Sequence, residues 1–178
     1  EYQLPESLAH ATVKQMYTAR WFTFAGLGML QGLIAALGNL FLIGTYVVDK
    51  PLYLLFAMLL CLVFVSILYM LISLFGNIGK GLGIIILVLS ISGAGGNFPV
   101  VLSGKFFQAI NPWLPFTYAV NLLRETVGGI YWPNLWQDLF ILVAFGVAFF
   151  LLGLFLKEPI RPWIEKMHHI TRKSKIIE

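Results

Sequence analysis

The stretch LYLLFAMLLCLVFVSILYMLISLF, from Leu52 to Phe75, contains no charged residue. A hydrocarbon core about 30 Å thick needs roughly 20 apolar helical residues to cross it, so this stretch is long enough to span a bilayer as one helix. The whole chain shares its character, since 59% of its residues are hydrophobic and 11% are charged, against about 25% charged in a soluble domain. The sequence therefore predicts an all-α, polytopic protein embedded in the lipid bilayer.

Three further apolar runs flank this stretch. Upstream, residues 21–48 contain no charged residue. Downstream, residues 82–104 are apolar but contain Gly93-Ala94-Gly95-Gly96-Asn97-Phe98-Pro99, and residues 139–156 are just long enough to span. Together with residues 52–75 they predict about four spans in a single transmembrane domain, residues 1–178, with the third span broken.

Lysine and arginine predict the orientation. If residues 1–20, the loop at Lys80 and the tail of residues 157–178 lie on one side of the membrane, that side holds nine of the twelve Lys and Arg residues. The other three lie on the opposite side: Lys50, Lys105 and Arg124. Because positive charge beside spans accumulates on the cytoplasmic side, we expect both ends of the chain to be cytoplasmic. The position of these charges also argues against nucleic-acid binding.

The tail, residues 157–178, alternates basic residues with prolines and apolar residues. A short helix lying on the anionic inner leaflet accounts for this pattern. A surface that docks a cytoplasmic partner would use the same residues, so both interpretations stay open.

The segment NPWLPFTYAVNLLRE, residues 111–125, is apolar but also carries prolines, asparagines and charged residues. Asn111-Pro112 has the composition of a helix start, and Gly128-Gly129 that of a helix end. Apolar residues recur between them at helical spacing on one face, and Thr117, Asn121 and Arg124 form a stripe on another. We predict a re-entrant or outer interfacial helix within residues 106–130.

A backbone that breaks inside the membrane must be buried in protein or line a wet cavity, because unpaired N–H and C=O groups are costly in lipid. We therefore expect the break and the following segment to form a gate. The candidate gate residues are Gly93, Gly95, Gly96, Pro99, Asn111, Pro112, Pro115 and Arg124. Alternatively, residues 82–104 form one kinked span and residues 106–130 an ordinary amphipathic loop.

Small residues and two amides lie within one face of the first predicted span: Gly28, Gln31, Gly32, Ala35, Ala36 and Asn39. Such a stripe is typical of a seam where helix backbones approach closely and amides bond across the interface. Ordinary helix packing or a homodimer seam is one interpretation. In the other, Gln31 and Asn39 line a substrate path.

No catalytic or metal-binding constellation is predicted. The three histidines, His10, His168 and His169, lie outside the predicted spans, and no carboxylate lies within one. The loop at Lys80 lacks the spacing of a phosphate-binding loop. The chain is therefore expected to be neither an enzyme nor a binder of a cofactor, and an intramembrane enzyme is the least favoured function.

The segment ISGAGGNFPVVLSGKFFQAINPWLPFTYAVNLLRETVGGIYWP, which begins at Ile91, resembles the C-terminal membrane region of the phage infection protein (Pip/YhgE) family, within the wider ABC-2-type permeases. In that group a broken span with a Gly-Pro break precedes a segment like Asn111 to Arg124 and a last span. The resemblance covers nearly the whole chain, and the segment from Asn111 to Arg124 is its most specific part.

The resemblance implies a permease-like subunit of an exporter for a hydrophobic or cell-envelope substrate in the bacterial plasma membrane. Members of the wider group have six spans and work as paired halves with a separate ATP-binding-cassette (ABC) ATPase, so a homodimer or paired half is implied. With about four spans, this chain is expected to be the C-terminal part of a longer protein. The alternative function is a non-transporting anchor of an extracytoplasmic domain, acting as a phage-infection receptor or a secretion accessory.

Overall fold

The computed structural model describes residues 12–96 and 99–173, and the side chains of that part except those of residue 158 and residues 160–173. His10, His168 and His169 therefore lie outside the described side chains. The described backbone contains helices and turns but no strand, which confirms the all-α class. Its six α-helices are α1 (Val13–Gly38), α2 (Lys50–Phe75), α3 (Asn77–Gly93), α4 (Lys105–Ile110), α5 (Pro115–Gly128) and α6 (Trp132–Lys173).

Three helical segments are long and apolar enough to cross a membrane: Val13–Ile43, Lys50–Phe75 and Trp132–Lys157. The chain is therefore a multi-pass membrane protein. The first segment consists of α1 and a π-helical turn, Asn39–Ile43, that continues it.

The third apolar helix, α3, is shorter than the other three segments. Its 17 residues rise about 25 Å at 1.5 Å per residue, which is less than the roughly 30 Å of a hydrocarbon core. It begins at Asn77, earlier than residue 82, because Gly76 at φ 56° turns the chain sharply out of α2. It ends at Gly93, so the apolar run of residues 82–104 is not one continuous helix.

Two side-chain caps define where the first spans begin. Thr12 forms a capping box with Gln15 at the start of α1. The carboxylate of Asp49 accepts a hydrogen bond of 3.2 Å from the Leu52 amide, and Pro51 lies in the first turn of α2. The polar turn between the two apolar runs is therefore also what starts the second helix.

Helix α2 lies at the centre of the bundle and contacts α1, α3, α5 and α6. It runs antiparallel to α1, with Gly28 against Val65 and Gly32 against Ala57. It runs parallel to α6, because Gly146 lies against Val63 and Gly153 against Met70. The main buried cluster forms around α2 and includes Phe56, Val63, Ile67, Leu74, Leu122 and Leu142.

The two ends of the bundle differ. At one end, the amides of Val48 and Asp49 donate hydrogen bonds of 3.1 and 3.2 Å to the carbonyl of Thr126, which ties the α1–α2 connection to the end of α5. At the opposite end, the ring of Tyr17 lies 4.7 Å from the ring of Tyr69. We call these the α5 end and the Tyr17 end.

Helix α6 continues without interruption to Lys173. The sequence predicts a span over residues 139–156 followed by a separate short helix in the tail. Pro159 and Pro162 lie within this helix and lack the amide hydrogen that closes a helical hydrogen bond, yet the helix continues through both. The described part of the tail is therefore an extension of the last span.

The close approach of α1 and α2 predicts the effect of a single methyl group. A Cβ atom at Gly32 would lie 2.7 Å from the carbonyl oxygen of Ala57, whereas a Cβ atom at Gly26 would meet nothing within 4 Å. We expect Gly32→Ala to lower the free energy of unfolding by about 1–3 kcal/mol, as overpacking does. Gly26→Ala, on the same helix, should be neutral or stabilising because alanine is the better helix former.

Thermal unfolding of the intact protein in detergent measures both changes. Equal melting temperatures for the two variants would contradict the α1–α2 contact described here.

Candidate functional site

The third apolar helix ends inside the bundle. Its last turn closes with a hydrogen bond of 3.0 Å from the Ala94 amide to the carbonyl of Ser90. Gly95 then adopts φ 71°, a left-handed conformation that favours glycine. Carbonyl groups after Ser90 have no further helical turn to supply donors, so the break needs hydrogen bonds from elsewhere.

The side chain of Asn111 supplies the first of these hydrogen bonds. Its Nδ2 donates to the carbonyl oxygen of Gly93 over 2.7 Å and to Oγ1 of Thr117 over 3.0 Å. The Thr117 hydroxyl in turn donates to the Asn111 carbonyl over 2.8 Å. Because Thr117 is buried, this small network orients the amide toward the break.

The guanidinium of Arg124 supplies the second. It donates to the carbonyl oxygen of Gly95. A cation at this position also complements the negative end of the α3 helix dipole. Two polar side chains of the segment from Asn111 to Arg124 therefore satisfy two carbonyls that the break leaves without helical donors.

Packing at the break favours a small residue at Gly93, where an added methyl group would displace the end of the Leu114 side chain, but leaves room at Gly96. A Cβ atom at Gly93 would lie 2.8 Å from Cδ1 of Leu114, and one at Gly96 would lie 3.9 Å from Cγ2 of Val120. Leu114 is buried and directly precedes α5. The segment whose polar side chains bind the break therefore also packs against the break through apolar contacts.

The start of α5 differs from the sequence prediction. Asn111 is not the helix cap, because residues Asn111–Trp113 form a separate 3-10 turn. Leu114 is extended at φ −91° and ψ 120°, as expected for a residue that precedes proline, and α5 begins at Pro115. Its end agrees with the prediction, since α5 stops at Gly128 with Gly129 at φ 114°.

The structure brings together four of the eight candidate gate residues through hydrogen bonds, namely Gly93, Gly95, Asn111 and Arg124. Gly96 joins them by packing. Pro115 is buried in the first turn of α5. The Pro112 carbonyl accepts a hydrogen bond of 2.7 Å from the Tyr118 hydroxyl, and exposed Pro99 precedes the 3-10 turn Val100–Leu102.

The comparisons with known proteins agree with this layout. A family model described as "ABC-2 family transporter protein" matches residues 8–155. The chain belongs to this family. It is also 33% identical over 127 residues to "Uncharacterized protein YhgE" of Bacillus subtilis (strain 168). That alignment covers 71% of this chain and 16% of the relative, so the chain spans a small part of that protein.

No solved structure matches the chain. The family match and the YhgE alignment confirm the resemblance inferred from the sequence. An ABC-2 membrane domain is a transport domain. Separately, within the described residues no group of three or more His, Cys, Asp or Glu residues could hold a metal ion.

The structure places the candidate residues of the first span of this ABC-2 domain in different surroundings. Gly28 and Gly32 are buried against α2. Asn39 donates a hydrogen bond of 2.6 Å to the Tyr53 hydroxyl and accepts one of 2.7 Å from Thr45, so it ties the ends of α1 and α2 together. Gln31 is exposed and lies on the wall of a groove.

Asp138 is a polar residue of the domain that the sequence analysis does not single out. Only 8% of it is exposed, and its carboxylate is hydrogen-bonded by Asn121, with Glu125 nearby. Its position three residues after Leu135 and four before Leu142, both buried, is the periodic signal that places it on the inner face of α6. The interaction of Asp138 with Asn121 therefore links α6 to α5.

The Asn111 network predicts a specific loss of stability in this ABC-2 domain. Asn111→Ala or Asn111→Asp removes the donor to the Gly93 carbonyl, and we expect either change to lower the free energy of unfolding by about 1–3 kcal/mol. Asn111→Asp keeps the side-chain size but replaces the donor with an acceptor, so its effect includes repulsion from the Gly93 carbonyl, whereas Asn111→Ala removes the donor alone.

Asn134→Ala is the matched control, because Asn134 is exposed and the structure describes no hydrogen bond from its side chain. Its effect should stay within about 0.5 kcal/mol. Thermal unfolding in detergent measures all three variants, and an Asn111→Asp protein as stable as the Asn134→Ala protein would refute the network.

Proposed function

We propose that this chain is the membrane-spanning permease part of an ABC-2-type exporter that moves a hydrophobic or cell-envelope substrate with the energy of a separate ABC ATPase. Membership of a transporter family supports the coarse function. The observation that carries the gate is the break after α3, whose carbonyls are bound by Asn111 and Arg124 from another part of the chain.

Such a break suits a gate because its hydrogen bonds are exchangeable. A helix caps its carbonyls locally in most proteins, and a local cap does not respond to movement of a distant segment. Here a small displacement of α5 exposes the carbonyls of Gly93 and Gly95, which water or a polar group of a substrate can then bind. Broken helices in transporters present such groups to their cargo.

The segment after the break offers an apolar surface at the same place. Val101, Leu102, Phe106 and Trp113 are 83%, 77%, 61% and 79% exposed. They lie in the segment that connects the break to α5. This combination supports a substrate with a large apolar part, or the apolar face of a second permease half, at the proposed outer gate above the path between subunits.

The distribution of charge supports coupling to an ATPase at the Tyr17 end. Lys80, which lies in the first turn of α3 and not in a loop, and the helical extension beyond Lys157 are both at that end, given the direction of α2, α3 and α6. In the orientation that the positive-inside rule favours, these surfaces are cytoplasmic. A separate ATPase would dock there.

Co-purification of the intact protein from its native membrane in mild detergent tests the proposal. We expect mass spectrometry to identify an ABC ATPase, and removal of the tail from Arg161 to abolish its recovery. Recovery of a homo-oligomer without a nucleotide-binding partner would contradict the transporter function. It would favour a membrane anchor, the alternative supported by how little of YhgE this chain spans.

A disulfide tests the gate itself. A Cβ atom at Gly96 lies close to Val120, so Gly96→Cys combined with Val120→Cys places two thiols across the break. We expect oxidation to lower ATP turnover in the co-purified complex and a reductant to restore it, because the closed break cannot open. Each single cysteine variant is the control, and undiminished turnover in the oxidised double variant would refute a moving gate.

A further inference from the structure

A second feature lies at the Tyr17 end, away from the break. A groove of about 1220 Å³ runs along the outer surface of α1 and α2, and Lys157 of α6 closes one end of it. Its walls are apolar and open to the surroundings, with Phe24, Leu27, Leu68 and Ile72 each between 40% and 54% exposed. Gly28 also lines the groove, where a Cβ atom would meet the Val65 side chain of α2.

Two cations lie together at one end of this groove. Arg20 of α1 and Lys157 of α6 both line it, and they are close enough to repel each other electrostatically. Lys157 is held in place by the ring of Tyr17, with Nζ 5.1 Å from the ring centroid. Neither cation forms an ion pair with a described carboxylate. Two adjacent positive charges with no counter-charge among the described side chains favour binding of an anion.

The dimensions of the groove match one leaflet of a bilayer. From Arg20 to Gln31, its last lining residue on α1, the helix rises about 16 Å. Half of a hydrocarbon core is about 15 Å. Hydroxyl side chains of Thr23 and Ser73 lie in the lining near the cationic end, and Gln31 marks the other end. The groove is therefore polar at the end that holds Arg20 and Lys157 and apolar along its length.

We propose that this groove binds an anionic phospholipid from the leaflet at the Tyr17 end, with its phosphate between Arg20 and Lys157 and one acyl chain between α1 and α2. A guanidinium and an ammonium are the usual ligands of phosphate. A free phosphate would leave the apolar walls unused, whereas a lipid satisfies both the charges and the walls. This site does not depend on export, because lipid binding is measured without transport.

Native mass spectrometry tests the site. The intact protein is equilibrated in mixed micelles containing equal amounts of phosphatidylglycerol and phosphatidylcholine, which differ in net charge. We expect preferential retention of phosphatidylglycerol, reduced about fivefold by Arg20→Gln or by Lys157→Gln and lost in the double variant. Lys50→Gln, which removes a cation at the α5 end, should leave the preference unchanged.

Two further measurements exclude misfolding of a variant and misassignment of the bound molecule as explanations of the result. Lys157→Arg keeps the charge and should keep the preference, while thermal unfolding in phosphatidylcholine reports whether each variant is folded. An unchanged preference in the folded double variant, or displacement of the lipid by soluble glycerophosphate, would overturn the proposal.

The photoreactive residue benzoylphenylalanine at Leu27 identifies what occupies the groove. We expect an adduct with the mass of one phospholipid. An adduct with a polypeptide, whether a second copy or another helix of the intact protein, would show that the groove is a protein interface and would overturn the lipid site.

Discussion

The carbonyl groups at the end of a broken helix must be hydrogen-bonded, because a bilayer offers no water to bind them. In this protein the helix α3 ends at Gly93, and Asn111 and Arg124 provide the missing donors. That requirement accounts for much of the fold between α3 and α6. The chain must return to the break, so it forms two 3-10 turns with the short helix α4 between them and then α5, whose buried face packs on α2 and α6. Without the break, Asn111 and Arg124 would lose the carbonyl groups that they bind.

The spans could be predicted from the sequence because an uncharged run has few alternatives in a membrane protein. Leu52 to Phe75 became α2 almost to the residue, and the glycines at 93, 95 and 96 correctly marked the break. What the sequence could not show is which groups meet. The helical face of Thr117, Asn121 and Arg124 was visible, but not that Arg124 binds Gly95 while Asn121 binds Asp138. Asn111-Pro112 looked like a helix start, and only the extended Leu114 before Pro115 reveals the later one.

The same limitation explains why the sequence left two interpretations of the first span open. Its glycines, alanines and amides share one face when drawn as an isolated helix, so a packing seam and a substrate path were both open. The presence of α2 divides that face, because Gly32 contacts Ala57 directly whereas Gln31 points to a groove. Asn39 forms hydrogen bonds with Tyr53 and Thr45, so its amide has a structural role. The position of each residue relative to a neighbouring helix decides between the two interpretations. The spacing of residues along a single helix does not give that position.

We propose that Arg124 and Asn111 hold the break closed, and hydrogen–deuterium exchange tests this most directly. The intact protein and its Arg124→Gln variant are compared in detergent, with peptides from α2 as the internal reference. We expect peptides that include Gly93 to Gly96 to exchange about tenfold faster in the variant, since hydrogen bonds to charged groups contribute about 1.5–3 kcal/mol, while α2 stays protected. Equal protection of those peptides in both proteins, at the level of α2, would contradict the account and indicate a continuous span.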